Sequence, residues 1–136
     1  MGRILALDYG KVRTGIAVTD ELQLIASGLT TVDTNGLIAF LQTYSAKEDI
    51  ALFVVGEPRQ MDYSVSESEA LIGTFLKVLE KTFPNIPISR QDERFTSRMA
   101  VQSMVESGMK KKKRSNKALV DEISATLILQ AYLNRK

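Results

Sequence analysis

Asp8 closes Ile4-Leu5-Ala6-Leu7, an apolar run that reads as a strand buried on both faces, and Tyr9-Gly10 with the basic Lys11 and Arg13 follow directly. A carboxylate in such surroundings costs several kcal/mol unless a cation, a donor network or a chemical role compensates it. Two later acidic segments, Asp92-Glu93-Arg94 and Val120-Asp121-Glu122, can bring further carboxylates to the same place. Three acids converging in a mildly basic chain point to a divalent-metal site that acts on phosphate. The chain has no cysteine and no histidine, which excludes thiolate and imidazole zinc sites, cysteine nucleophiles and histidine-based triads. Carboxylates, lysines, tyrosines and hydroxyls remain, and carboxylates favour hard ions such as Mg2+ or Mn2+.

The elements that must position these acids follow from periodicity. Residues 3 to 8 form the first strand. Thr14 to Thr19 alternates with period two as a neighbouring half-buried strand, Asp20-Glu21 makes a turn, and Leu24 to Val32 is a third extended run completing an antiparallel meander. Thr34 or Asn35 can cap a helix whose Leu37, Leu41 and Tyr44 share a face. Ala51 to Gly56 is a second uninterrupted apolar run, the mark of a central parallel strand. Ser64 to Glu67 has the form of a capping box, and the helix after it carries Ile72, Phe75, Leu76, Leu79 and Phe83 until Pro84. Ile86 to Arg90 is short and contains a proline, so it belongs at a sheet edge. Two helices complete the chain, from Thr96 or Ser97 to Glu106 and from about Asn116 to Asn134, the latter with Leu119, Ile123 and Leu127 aligned.

Three antiparallel strands extended by parallel βα units predict an α/β fold, a five-stranded mixed sheet flanked by helices, in one domain spanning residues 1–136. The first and fourth strands lie adjacent and parallel in such a sheet, so Asp8 and Glu93 sit at strand ends that open along one rim. Asp121 lies near the start of the last helix, and the small Ser124 and Ala125 let that helix approach the sheet closely. Each acid also has a plainer explanation. Asp8 can cap its own turn, Asp121 is favoured in a first helical turn by the macrodipole, and Asp92-Glu93-Arg94 can be a surface ion-pair cluster.

Net charge is only +2, yet six of the eight residues from Lys110 to Lys117 are basic. Such a run is either a solvated loop or a contact for a polyanion, and the second reading explains why like charge is concentrated just before the Asp121 helix. Lys110, Lys111, Lys112, Lys113 and Arg114 can then deliver nucleic acid to the metals. Lys11 and Arg13 are placed to hold a phosphate backbone, and Arg94 either does so or pairs with an acid. The longest apolar stretches fall far short of the roughly 18 residues of a membrane span. Met1-Gly2-Arg3 runs directly into a strand, without the apolar segment of a secretory signal, so a cytoplasmic protein is expected.

Asp8-Tyr9-Gly10-Lys11-Val12-Arg13-Thr14-Gly15-Ile16-Ala17-Val18, Val54-Val55-Gly56, Asp92-Glu93-Arg94-Phe95-Thr96-Ser97 and Asp121-Glu122-Ile123-Ser124-Ala125 resemble, in order and over essentially the whole chain, the motifs of the YqgF (RuvX) family. The resemblance implies an RNase H-like fold related to RuvC-type Holliday-junction resolvases, and a bacterial cytoplasmic nuclease that matures the 5′ end of pre-16S ribosomal RNA. It implies Asp8, Glu93 and Asp121 as catalytic metal ligands for Mg2+ or Mn2+. Structured RNA is the implied partner in preference to DNA junctions, with the protein a monomer or homodimer. One departure stands out. Where the family usually reads Val-Gly-Leu-Pro this chain has Val55-Gly56-Glu57-Pro58, so Glu57 is either an additional ligand or a tolerated surface change.

Three other functions compete. Actin-like ATPases and sugar kinases open their first phosphate loop with an aspartate and a glycine, but they close two such domains around a nucleotide, and Gly10 to Gly15 does not continue into the Gly-Lys-Ser/Thr of a P-loop. A non-catalytic factor that grips structured RNA and a DNA junction resolvase both remain open on sequence alone.

Overall fold

The computed structural model describes residues 2–57, 68–92 and 117–135. Five strands, β1 (Arg3–Tyr9), β2 (Arg13–Thr19), β3 (Ala26–Asp33), β4 (Ile50–Glu57) and β5 (Ile88–Asp92), form one sheet in the order β3-β2-β1-β4-β5. Neighbours β1–β2 and β2–β3 are antiparallel, whereas β1–β4 and β4–β5 are parallel. The described helices are α1 (Leu37–Lys47), α2 (Ser68–Thr82) and α3 (Lys117–Asn134). The mixed five-stranded α/β sheet expected from the hydrophobic pattern is therefore the observed one. The predicted capping box at Ser64 to Glu67 and the helix from Thr96 or Ser97 to Glu106 lie outside the described residues.

Strand β1 is apolar on both sides because it is the middle strand of a three-layer structure. Leu5 and Leu7 point into a core built with Ile16, Phe53 and Val55 and covered by Leu37 and Leu41 of α1 and Ile72, Phe75 and Leu79 of α2. Ile4 and Ala6 point the other way and join Ala17 and Val54 under Ala125, Ile128 and Leu129 of α3. The second layer is thinner. Its sheet side carries alanines and glycines, so α3 lies closer to β1 and β2 than larger residues would permit.

Three expectations shift. Strand β5 begins at Ile88, after Pro87 and not before it. Proline has no N–H for the ladder, but its carbonyl still accepts a 3.0 Å hydrogen bond from Phe53 N. The predicted α3 stripe of Leu119, Ile123 and Leu127 is only half-buried, and the buried face carries Ser124, Ala125, Ile128 and Leu129. The helix is apolar nearly all round, so periodicity alone did not select the stripe, and close approach to the sheet favours its smaller residues. Neither Thr34 nor Asn35 caps α1. Residues Thr34–Gly36 form a 3-10 turn ahead of that helix, and Asp33 and Gly36, which stand at the cap positions, form no side-chain cap.

Two polar devices fix strand connections. Arg90 donates from Nε to Val55 O (3.1 Å) and from Nη2 to Gly56 O (2.9 Å), while pairing with Glu69 of α2 at 2.8 Å. That side chain ties the carboxyl end of β4 to β5 and α2 together. In the β2–β3 turn, the Asp20 carboxylate accepts from the main-chain N–H groups of Leu22 (3.2 Å), Leu24 (2.9 Å) and Ile25 (2.8 Å). The Ile25 and Leu24 hydrogen bonds hold its pKa below the ordinary value of 3.8. A carboxyl whose native pKa is depressed adds stability that is present above 3.8 and lost as pH falls through the lower native value. The stability difference between wild type and Asp20→Asn should accordingly be largest near neutrality and shrink in acid. Urea midpoints at pH 6.5 and below pH 3.5, roughly either side of the carboxylate range, check this.

Candidate functional site

The carboxyl ends of β1 and β4 open at the same rim because the two strands are parallel, with Leu5↔Phe53 and Leu7↔Val55 in register. Asp8 follows Ile4 and Ala6 in strand alternation, so it faces the α3 layer. Its cross-strand partner on β2 is Gly15. Opposed residues of an antiparallel pair lie about 5 Å apart at Cα and point to the same face, and the missing side chain of Gly15 leaves a recess beside Asp8.

The second turn of α3 fills that recess; Asp121 is the fifth residue of the helix, beyond the first turn in which the macrodipole would favour an acid, so that plainer explanation does not apply. A Cβ on Gly15 would overlap the main-chain carbonyl of Asp121 and lie 3.0 Å from Glu122 N. On the neighbouring strand β3, where Gly28 is paired with Ala17, a Cβ on Gly28 would lie 2.5 Å from Glu122 Oε1. The two glycines seat consecutive acids of α3 on the sheet and bring Asp121 beside the Asp8–Gly15 pair. Ser124 and Ala125, expected to permit this approach, are 1% and 0% exposed. The sheet-side glycines are the counterpart that sequence reading missed. Their signal was present, since an isolated glycine within a strand pattern marks a close backbone approach.

Arg13, the first residue of β2, donates from Nε to Asp121 Oδ2 at 3.0 Å, and the two side chains are 35% and 26% exposed. Lys11 is exposed at the tip of the β1–β2 connection. That connection is held by Thr34, whose hydroxyl donates to Gly10 O (2.6 Å) and pairs with the buried Thr14 hydroxyl (2.9 Å), while Thr34 N donates to Val12 O (2.9 Å). Thr34 thus braces the loop that carries Lys11 and Arg13. Thr34→Val should cost about 1–2 kcal/mol, since it orphans a buried hydroxyl as well as removing a hydrogen bond. It should also accelerate amide exchange from Lys11 to Arg13, which chemical denaturation and hydrogen-exchange measurements would detect.

Glu57 has the opposite orientation from Asp8. It follows Phe53 and Val55 towards the α1–α2 layer and is in register with Asp92, so the strand pattern carries it to the other face of the sheet. Glu93, Arg94, Lys110, Lys111, Lys112, Lys113 and Arg114 lie outside the described residues. Among the described residues no group of three acids forms an ion site, and Asp8 and Asp121 are the two predicted carboxylates whose surroundings are defined. These fit a hard divalent cation in kind. Both offer carboxylate oxygens, one already binds a cationic group, and the hydroxyl of Ser124, one turn along α3 and buried, has no hydrogen-bond partner among the described residues.

A mixed sheet of this order with helices on both faces, an acid near the end of its first strand and another one turn into the helix packed across it, has an RNase H-like fold of the kind seen in RuvC. The structure of T. thermophilus RuvC in complex with Holliday junction substrate matches with a TM-score of 0.59 at 18% identity, covering 99% of this chain and 96% of that one. The chain belongs to the RuvX family, whose model, described as a Holliday junction resolvase, matches residues 2–135. Among its relatives, a Christiangramia forsetii protein named "Putative pre-16S rRNA nuclease" is 62% identical over 133 residues, 98% of each chain. A Flavobacterium psychrophilum protein of the same name is 57% identical over 136 residues, 100% of this chain and 99% of its own. No described helix is long and apolar enough to cross a membrane.

Proposed function

We propose that this protein is a metal-dependent nuclease that hydrolyses phosphodiester bonds of structured RNA, acting in the cytoplasm on the 5′ end of pre-16S ribosomal RNA, with its site contained in the single domain 1–136. The observation that carries this reading is the seating of Asp121 against Gly15, directly across the ladder from Asp8. Two acids 113 positions apart in sequence thereby share a rim. The names of the relatives supply the RNA substrate.

Asp8, Glu93 and Asp121 would hold Mg2+ or Mn2+. Glu93 is taken as the third ligand from the family resemblance; in sequence it follows β5, whose Ser89 and Gln91 accept hydrogen bonds from Arg135 just past the end of α3. The chemistry a divalent ion would supply when held there is a lowered pKa for an attacking water and stabilisation of the leaving oxygen. The chain's own part is positioning and charge neutralisation, which dominate phosphoryl transfer. Asp8 presents its carboxylate from a central strand that cannot shift without disturbing both layers, and Asp121 presents its own from a helix locked on glycine. Lys11, Arg94 and the Lys110 to Arg114 run contact the phosphate backbone, reading shape more than base sequence. Binding should therefore weaken steeply with salt, by roughly 10²–10³-fold between 50 and 200 mM.

The family description favours a second reading, a resolvase of four-way DNA junctions. Cleavage of a precursor carrying the 16S 5′ leader, compared with a four-way junction of matched length, separates the two. Manganese-dependent cuts confined to the RNA support the first reading, and paired cuts confined to the junction support the second. Binding to RNA without cleavage of either substrate, indifferent to both metals, would instead indicate a non-catalytic factor.

A further inference from the structure

Arg13 was a candidate phosphate contact by sequence, yet its guanidinium is engaged elsewhere. Across the ladder from it on β3 stands Asp33, an acid within easy reach of a cross-strand neighbour. The hydrogen bond goes instead to Asp121, 108 residues away in sequence. The contact is made side-on by Nε to one carboxylate oxygen, Oδ2, at 3.0 Å.

We propose that Arg13 is a positioning residue for Asp121. It holds Oδ2 so that the carboxylate plane is fixed and the other oxygen, Oδ1, is turned to the divalent ion. This rests on the reading of Asp8 and Asp121 as metal ligands. The base of the lever is rigid, because Thr34 ties the connection before it to the main chain at Gly10 and Val12. The target is rigid too, because the Asp121 carbonyl is seated on Gly15, two residues along β2 from Arg13 and on the same face. An ion pair this open adds little to stability, so its effect is expected in geometry. Groups that hydrogen-bond a metal-ligating side chain set its orientation, and their loss typically weakens metal affinity by about 10–100-fold.

Coulomb's law makes the opposite prediction if Arg13 has no positioning role, because a cation beside the site repels a divalent ion and its removal should tighten binding. Mn2+ affinity of the full chain, measured by electron paramagnetic resonance without nucleic acid, distinguishes the two. Arg13→Met is expected to weaken Mn2+ binding by about tenfold or more while leaving the melting temperature of the metal-free protein close to wild type. Arg13→Lys, which keeps the charge and a donor but not the planar side-on geometry, should recover part of the loss. Unchanged or tighter Mn2+ binding in Arg13→Met would overturn the proposal and return Arg13 to a phosphate-contact role. Asp121→Asn in the same titration tests the underlying reading separately. If that variant binds Mn2+ as wild type does, Asp121 is not a ligand, whatever Arg13 does.

Discussion

Gly15→Ala is expected to lower both stability and nuclease activity, although it adds one methyl group and touches no ionisable side chain. The new Cβ would overlap the Asp121 carbonyl and lie 3.0 Å from Glu122 N, and both are main-chain atoms that cannot rotate aside. Relief requires the start of α3 to move off β2. Overpacking of this kind costs about 1–3 kcal/mol, a fall of several degrees in melting temperature for a chain of this size. The catalytic consequence should exceed the thermodynamic one. Lifting α3 moves Asp121 away from Asp8, and a misplacement of about 1 Å among reacting groups costs on the order of 10²-fold in rate. Activity should therefore remain depressed at temperatures where the variant is fully folded. Ala17→Gly is a useful contrast, because it thins the same layer two residues along β2, under Ala125 and Ile128, without driving Asp121 outward. Thermal melts paired with cleavage rates at a temperature well below both transitions would measure the two effects.

Asp8→Asn should show the reverse balance. The substitution is isosteric and removes a negative charge from the end of a strand whose preceding residues, Ile4 to Leu7, are at most 1% exposed. Stability is expected to change little, because the side chain keeps its size at a half-buried position and its amide can still hydrogen-bond there. Cleavage should fall by about 10³-fold or more, because a neutral amide would not supply the charge that holds a divalent ion, and electrostatic stabilisation of that kind supplies several kcal/mol of the barrier. A variant that melts close to the wild-type temperature and binds RNA, yet does not cleave it, would locate the loss in chemistry.

The frame of this site is legible from residue patterns, and its fine adjustment is not. An apolar run ending in an acid identified β1 and its rim, and a second run identified the parallel partner β4, because burial on both faces leaves no polar alternation. The helix opposite was harder. With Leu119, Ile123 and Leu127 on one side and Ala125, Ile128 and Leu129 on another, α3 offers two apolar stripes, and the sheet chose the one that small residues bring closest. Gly15 and Gly28 decided that choice from a distance of about a hundred residues, which no local window contains. Thr34 illustrates the same difficulty at short range. A hydroxyl before a helix can cap it or brace a neighbouring loop, and only the proximity of Gly10 and Thr14 selects the brace. Glu57 was ambiguous for a simpler reason, since a residue at the end of a strand points to whichever face the register dictates, and here the register with Asp92 assigns it to the α1–α2 side.

The shared-ion arrangement is tested most directly by locating manganese in crystals of the protein through its anomalous scattering. A peak bound by the carboxylates of Asp8 and Asp121, with Glu93 completing the ligand set, is the predicted outcome. Manganese bound elsewhere, with those carboxylates too far apart to share an ion or an adjacent pair of ions, would contradict it.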